Sequence, residues 1–126
     1  MKRIKVLFLD VINSKEPEII EVNNQNTKDF KKLIGCDTIT ITQRLFGGKS
    51  YCVVADDVGL FKENKKLSVF SHNIYERIYG NVIIANFDGR EDLESLTNVD
   101  LVRILSCRAR YVTDKAYPVL KAGNYN

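Results

Sequence analysis

Asn86, Phe87 and Asp88 stand together at the end of an apolar run, immediately before Gly89 and Arg90. A ring, an amide and a carboxylate so grouped match what a nucleobase requires: a flat surface to stack on, and polar groups to meet its edge. Further along, Arg103, Arg108 and Arg110 fall within one short stretch. The planar fork of a guanidinium suits phosphate oxygens, and such charge-assisted pairs are among the stronger hydrogen bonds. Each group also has a plainer reading. Phe87 fits a core position, and arginines near a helix C-terminus are favourable as solvated cations.

Residues for catalysis are sparse. The single histidine, His72, sits in the loop "FSHNIY" with few groups to poise it. A hydrolase would have to work through His72 with the adjacent Asp56 and Asp57, whose side chains diverge in an extended backbone. A strand-terminating acidic turn explains those two aspartates more simply. The three cysteines, Cys36, Cys52 and Cys107, lack CxxC spacing; small buried thiols are expected, and no zinc set can be assembled from them and one histidine. "FGGKS", residues 46–50, has the look of a phosphate loop. It lacks the first glycine at the required spacing and leads into a strand, so a hairpin turn is expected instead.

The elements that must position these groups follow from hydrophobic periodicity. "RIKVLFLDV" and "EIIEV" read as a hairpin of strands. Thr27 is expected to cap a short helix whose Phe30, Leu33 and Ile34 share a face, with Gly35 at its stop. "DTITITQRL" alternates, with Ile39 and Ile41 on one side and a hydroxyl-lined outer face of Thr38, Thr40 and Thr42 on the other. "YCVVADD" is the next strand. Residues 59–70 read as a surface loop anchored by Leu60, Phe61, Leu67 and Phe70, with a helical turn in "SHNIYERIYG". "NVIIANF" is the last strong strand. Thr97, with Asp100 three residues on, should cap a final helix. Its stripe of Leu101, Ile104, Leu105 and Val112 includes Arg108, while Arg103 and Arg110 share another face. Tyr117 to Leu120 forms a short apolar piece in the tail. The order β-β-α-β-β-(loop)-β-α implies a compact α+β domain, residues 1–126, with a mostly antiparallel sheet, a short helix after the first hairpin and a C-terminal helix.

A 126-residue chain that is 44% hydrophobic can bury a real core, and its net charge of +3 is too mild for a protein that coats nucleic acid. Met1-Lys2-Arg3 is followed by an apolar run that meets Asp10 too early for a signal peptide, so a cytoplasmic protein is expected.

The stretches "EPEIIEV", "FKKLIG", "YCVVADDVGLFKENKKL" and "IYGNVIIANFDGREDLESLTNVDL" resemble a small phage- and plasmid-borne domain family of unknown function, across roughly residues 3–105. The size, the order of elements and the arginine-bearing extension further resemble the first type of Thoeris anti-defence (Tad) proteins, phage-encoded sponges. That resemblance implies a homo-oligomer, with pockets shared between protomers, that holds cyclic ADP-ribose-type signals, and in some members cyclic oligonucleotides, without cleaving them. It implies no cofactor or catalytic metal, and a place in the host bacterial cytoplasm. The matching residue types are Asn86, Phe87 and Asp88 for the base and ribose, and Arg103, Arg108 and Arg110 for the pyrophosphate; Phe46, Tyr79 and Tyr111 are other candidate stackers. The alternative is a protein- or nucleic-acid-binding inhibitor that docks through a basic C-terminal helix.

Overall fold

The computed structural model describes residues 2–63, 65–89, 92–108 and 119–123. The elements in chain order are β1 (Arg3–Leu9), β2 (Glu18–Asn23), α1 (Thr27–Ile34), β3 (Ile39–Phe46), β4 (Lys49–Asp56), β5 (Leu67–Phe70), β6 (Ile78–Tyr79), β7 (Val82–Phe87), β8 (Leu93–Glu94), α2 (Asn98–Leu105) and β9 (Leu120–Lys121). The fold is α+β. The main sheet runs β2-β1-β7-β4-β3 and is antiparallel throughout, with β8 also paired to β7; a smaller sheet runs β6-β5-β9, its β5–β9 pair parallel.

Strand β7 lies at the centre because its apolar run "VIIA" can be covered on both faces. Val82 and Ile84 join Tyr51, Val53 and Leu7 on the face closed by Leu101 and Ile104 of α2 and by the smaller sheet. Ile83 and Ala85 join Val6, Cys52 and Val54 on the face closed by Phe30 and Ile34 of α1. Each fully buried side chain of this size contributes about 1.5–3 kcal/mol relative to exposure.

Helix α1 is capped one residue earlier than the sequence suggests. Asn26, not Thr27, accepts the Asp29 N–H at 3.3 Å and donates to the Asp29 carboxylate at 2.9 Å. Asparagine is as good an N-cap as threonine, and the reciprocal bond decides between them. Gly35 closes the helix in the left-handed region at φ 82°, as expected. Helix α2 begins at the predicted cap: the Thr97 hydroxyl accepts the Asp100 N–H at 3.1 Å and the Asp100 carboxylate accepts the Thr97 N–H at 2.9 Å.

Three other expectations are corrected. Helix α2 ends at Leu105, so Arg108 is not on its stripe; it lies beyond the helix in a bridge with Leu120, its guanidinium 2.9 Å from Glu16. Residues 59–70 are not one loop, since Leu67–Phe70 is strand β5, and Leu60 and Phe61 are exposed rather than anchoring. The threonine face of β3 is half-covered by the segment 75–79, while Ile41 on the other face is half exposed. Alternation fixes which residues share a face but not which face the rest of the chain covers. Val112, Tyr111 and Tyr117 lie outside the described residues.

Phe87 is partly buried and packs on the α1-side cluster, which supports its core reading. Phe87→Ala should therefore lower the stability by about 1–3 kcal/mol, read as a lower urea midpoint at unchanged slope. An unchanged midpoint would mean that the ring is free to serve as a stacking surface.

Candidate ligand-binding groove

Two of the sequence-predicted site residues, Asn86 and Arg103, meet, but at a buried carboxylate rather than an open pocket. Asp100 is 2% exposed. Its Oδ1 accepts from Tyr51 Oη at 2.7 Å, Lys49 Nζ at 2.9 Å and Arg103 Nη1 at 3.2 Å. Its Oδ2 accepts from Asn86 Nδ2 at 2.8 Å and from both the N–H and the hydroxyl of Thr97 at 2.9 Å. Burial alone would push the carboxyl pKa up. The hydrogen bonds from the Thr97 backbone, Lys49, Tyr51 and the Thr97 hydroxyl outweigh it and hold the group well below the usual carboxylate range. Burial pushes the Tyr51 phenol up to about 12, against the pull of Arg103, so it remains a donor to Asp100.

The Gly47-Gly48 turn serves the same cluster. Both glycines have positive φ, 61° and 86°, as a two-residue hairpin turn of the mirror-image type requires. A Cβ on Gly47 would stand 2.5 Å from Arg103 Cγ, so the bare turn lets the arginine stem pass over it toward Asp100. Phe46, a candidate stacker, is fully buried.

The other predicted residues disperse. Phe87 faces α1, on the opposite side of the sheet from Asn86; Asp88 is exposed in the turn after β7, its N–H bonded to Asp92 O at 3.2 Å. Arg108 is paired with Glu16, and Arg110 lies outside the described residues.

A groove with suitable chemistry opens elsewhere on the α2 side of the sheet, along β3. Its cavity volume is about 270 Å³. The floor is Thr40 and Thr42 of β3 with Ala55 of β4; Asp56 and Asp57 close one end, and Tyr75, Arg77 and Tyr79 with Arg44 form the walls. Arg44 is held by Nε to Glu76 O at 3.0 Å and by Nη1 to Thr42 Oγ1 and Gln43 O at 2.9 and 2.7 Å. Arg77 donates from Nε to Ser71 O at 2.9 Å and lies 4.7 Å from the centre of the Phe70 ring. Among the described residues neither Arg44 Nη2 nor the Nη atoms of Arg77 find a hydrogen-bond partner, so both forks are oriented yet hold donors in reserve. Tyr75 is 89% exposed, while Tyr79 is half-buried beneath Lys65 Nζ at 4.9 Å.

The acidic pair reads as structure. Asp56 accepts the Val58 N–H at 3.0 Å and pairs with Lys62, and His72 packs edge-on to Phe70 at 5.5 Å. Burial pushes the thiol pKa of all three cysteines up, with Asp56 adding to the effect at Cys36. Among the described residues no cluster of His, Cys, Asp and Glu is arranged to hold a metal ion, and no helix is long and apolar enough to cross a membrane. A larger hollow of about 510 Å³ lies between β1, β2 and α1, where Asp10, Glu21 and Asp29 outnumber Arg3 and Lys32, a setting unfavourable to an anion.

A family model described as a domain of unknown function, DUF3846, matches residues 4–106. The chain belongs to this family. No curated protein and no solved structure matches it. The DUF3846 span runs from β1 through α2, so the groove and the Asp100 cluster both fall inside it, whereas Arg108, Arg110 and β9 lie outside.

Sequence reasoning passed over Arg44, Arg77 and Tyr75. The usable signal was the parity of β3, which puts Arg44 on the same face as the threonines of its hydroxyl-lined side.

The buried carboxylate has a test in pH. The folded pKa lies below the unfolded value, so the unfolded chain binds more protons as the pH falls. The stability that Asp100 contributes is therefore complete above about pH 5 and lost as the pH drops through 4 toward the folded pKa. Asp100→Asn should cost about 3 kcal/mol at pH 7, and the gap to wild type should narrow by about 1 kcal/mol at pH 3. Urea denaturation at the two pH values measures both; a gap independent of pH would mean that the carboxyl is not held ionised.

Proposed function

We propose that this DUF3846 domain is a binding protein that sequesters cyclic ADP-ribose-type signals, intact, in the groove along β3. One observation supports this most directly: two guanidinium groups, each oriented by a backbone carbonyl, line the same groove as two tyrosines and two threonines. Guanidinium forks suit a pyrophosphate, tyrosine rings suit an adenine, and threonine hydroxyls suit those of ribose. The cavity is slightly smaller than a typical small-molecule pocket of about 300–1,000 Å³, so a ligand of this size would fill it and extend over the rim.

Sequestration needs no nucleophile or base. It works by mass action, because ligand held in the groove is withdrawn from its effector. In this reading the protein acts as a phage anti-defence sponge in the host cytoplasm, and it is a homo-oligomer. Cyclic oligonucleotides, which carry the same phosphate and base chemistry, are a second ligand class for the same groups. Asn86 and Arg103 then contribute by fixing α2 to the sheet rather than by touching ligand. A basic-helix docking mode has less support, since Arg103 is engaged with Asp100 and Tyr51 and Arg108 lies beyond the helix.

Titration calorimetry with cyclic ADP-ribose isomers tests the assignment. Arg44→Ala and Arg77→Ala should each weaken binding by about 10- to 100-fold, the value of a charge-assisted hydrogen bond of about 1.5–3 kcal/mol. The Arg44→Ala/Arg77→Ala double variant should bind no measurable ligand while remaining folded. Wild-type affinity in the double variant would remove the groove from the account.

A further inference from the structure

The main sheet has two edges, β2 and β3, and they are built differently. Strand β2 carries Glu18 and Glu21, which would repel a second copy of the same edge. Strand β3 has neither proline nor bulge; all eight of its residues stay in register with β4, and its only charged residue is Arg44. That side chain is turned back onto Glu76 O and Thr42 Oγ1 and shares only the outward carbonyl of Gln43, so the stretch from Ile39 to Ile41 is left unguarded and Gln43 O keeps one lone pair. Long, regular and uncharged edges are what soluble proteins normally avoid, because they present a ready row of backbone donors and acceptors.

The row can be specified. The two-residue turn makes Phe46 and Lys49 a hydrogen-bonded pair, and alternation then turns the N–H and C=O of Thr40, Thr42 and Arg44 toward β4. Those of Ile39, Ile41 and Gln43 point outward. Leu45 O, next in that outward row, is taken by the Gly123 N–H at 2.9 Å. Among the described residues the outward groups of Ile39 and Ile41 have no hydrogen-bond partner, and Gln43 O accepts only from Arg44 Nη1.

We propose that two copies of this chain pair through their β3 edges, antiparallel, about a two-fold axis at Ile41. In that register Ile41 exchanges both backbone hydrogen bonds with Ile41 of the second copy, and Ile39 does so with Gln43 in each direction. The ladder is then about six hydrogen bonds long. The side chains are self-complementary on both faces. Ile41, 50% exposed in the isolated chain, meets its own copy on the α1 side, while Thr40 and Thr42 meet Thr42 and Thr40 on the other. A two-fold contact must suit the same surface twice, and a neutral stretch centred on an isoleucine does so without opposing like charges. The pairing brings the two grooves to either side of one seam, since Thr40 and Thr42 are floor residues of each. The contact does not depend on the ligand reading.

Sedimentation velocity over the micromolar range tests it. Wild type should show a concentration-dependent monomer–dimer equilibrium. Ile41→Lys, which places two like charges at the axis, and Ile41→Pro, which removes an outward N–H but none that β4 uses, should each raise the dimer dissociation constant by about tenfold or more. Ile19→Lys, on the opposite edge and equally exposed, should leave it unchanged. If Ile41→Pro fails to fold, Ile41→Lys decides alone. A wild type that stays monomeric throughout, or a dimer unaffected by Ile41→Lys, would overturn the proposal.

Discussion

The structure depends on one buried carboxylate. Asp100 lies in the first turn of α2, and its oxygens are met by β4 through Lys49 and Tyr51, by β7 through Asn86, by the helix cap Thr97 and by Arg103 of its own helix. A carboxylate withdrawn from water this fully is costly unless its lone pairs are used, and here each oxygen accepts three hydrogen bonds. The result is directional. Hydrophobic contact of Leu101 and Ile104 would hold α2 against the sheet in many orientations, whereas the carboxylate fixes one.

That fixing bears on the groove by way of the sheet. The β3–β4 hairpin is held at its turn by Lys49 and by Gly47 beneath the Arg103 stem, and the same hairpin carries Thr40, Thr42 and Arg44. Arg44 in turn is tied to the carbonyl of Glu76, which joins the floor of the groove to the segment bearing Tyr75, Arg77 and Tyr79. The guanidinium groups that line the groove are thus held by backbone carbonyls, and under the proposed function this lowers the ordering cost of binding.

Much of the fold was legible in the sequence because its signals are local. Alternation in "TITIT", the apolar run "NVIIA", Gly35 as a helix stop and the Thr97–Asp100 box each depend on a few neighbouring residues. The end of α2 was not legible: Leu105 to Val112 keeps helical spacing, but the chain turns away at Ser106 and Arg108 bridges to Leu120. The candidate site was less legible still. Asn86 and Arg103 were singled out as ligand-binding groups, and the structure brings both to the carboxylate of Asp100, a residue the sequence marked only as part of a helix cap. Arg44 and Arg77 are thirty-odd residues apart and become neighbours only when the segment after β5 folds over β3.

The claim that the protein holds a signal without consuming it is tested most directly by recovery. Purified protein is incubated with a cyclic ADP-ribose isomer, freed of unbound ligand, heat-denatured, and the released material analysed by mass spectrometry. Sequestration should release the intact cyclic molecule, in an amount that tracks the protein. A ring-opened or hydrolysed product, or no ligand at all, would contradict it.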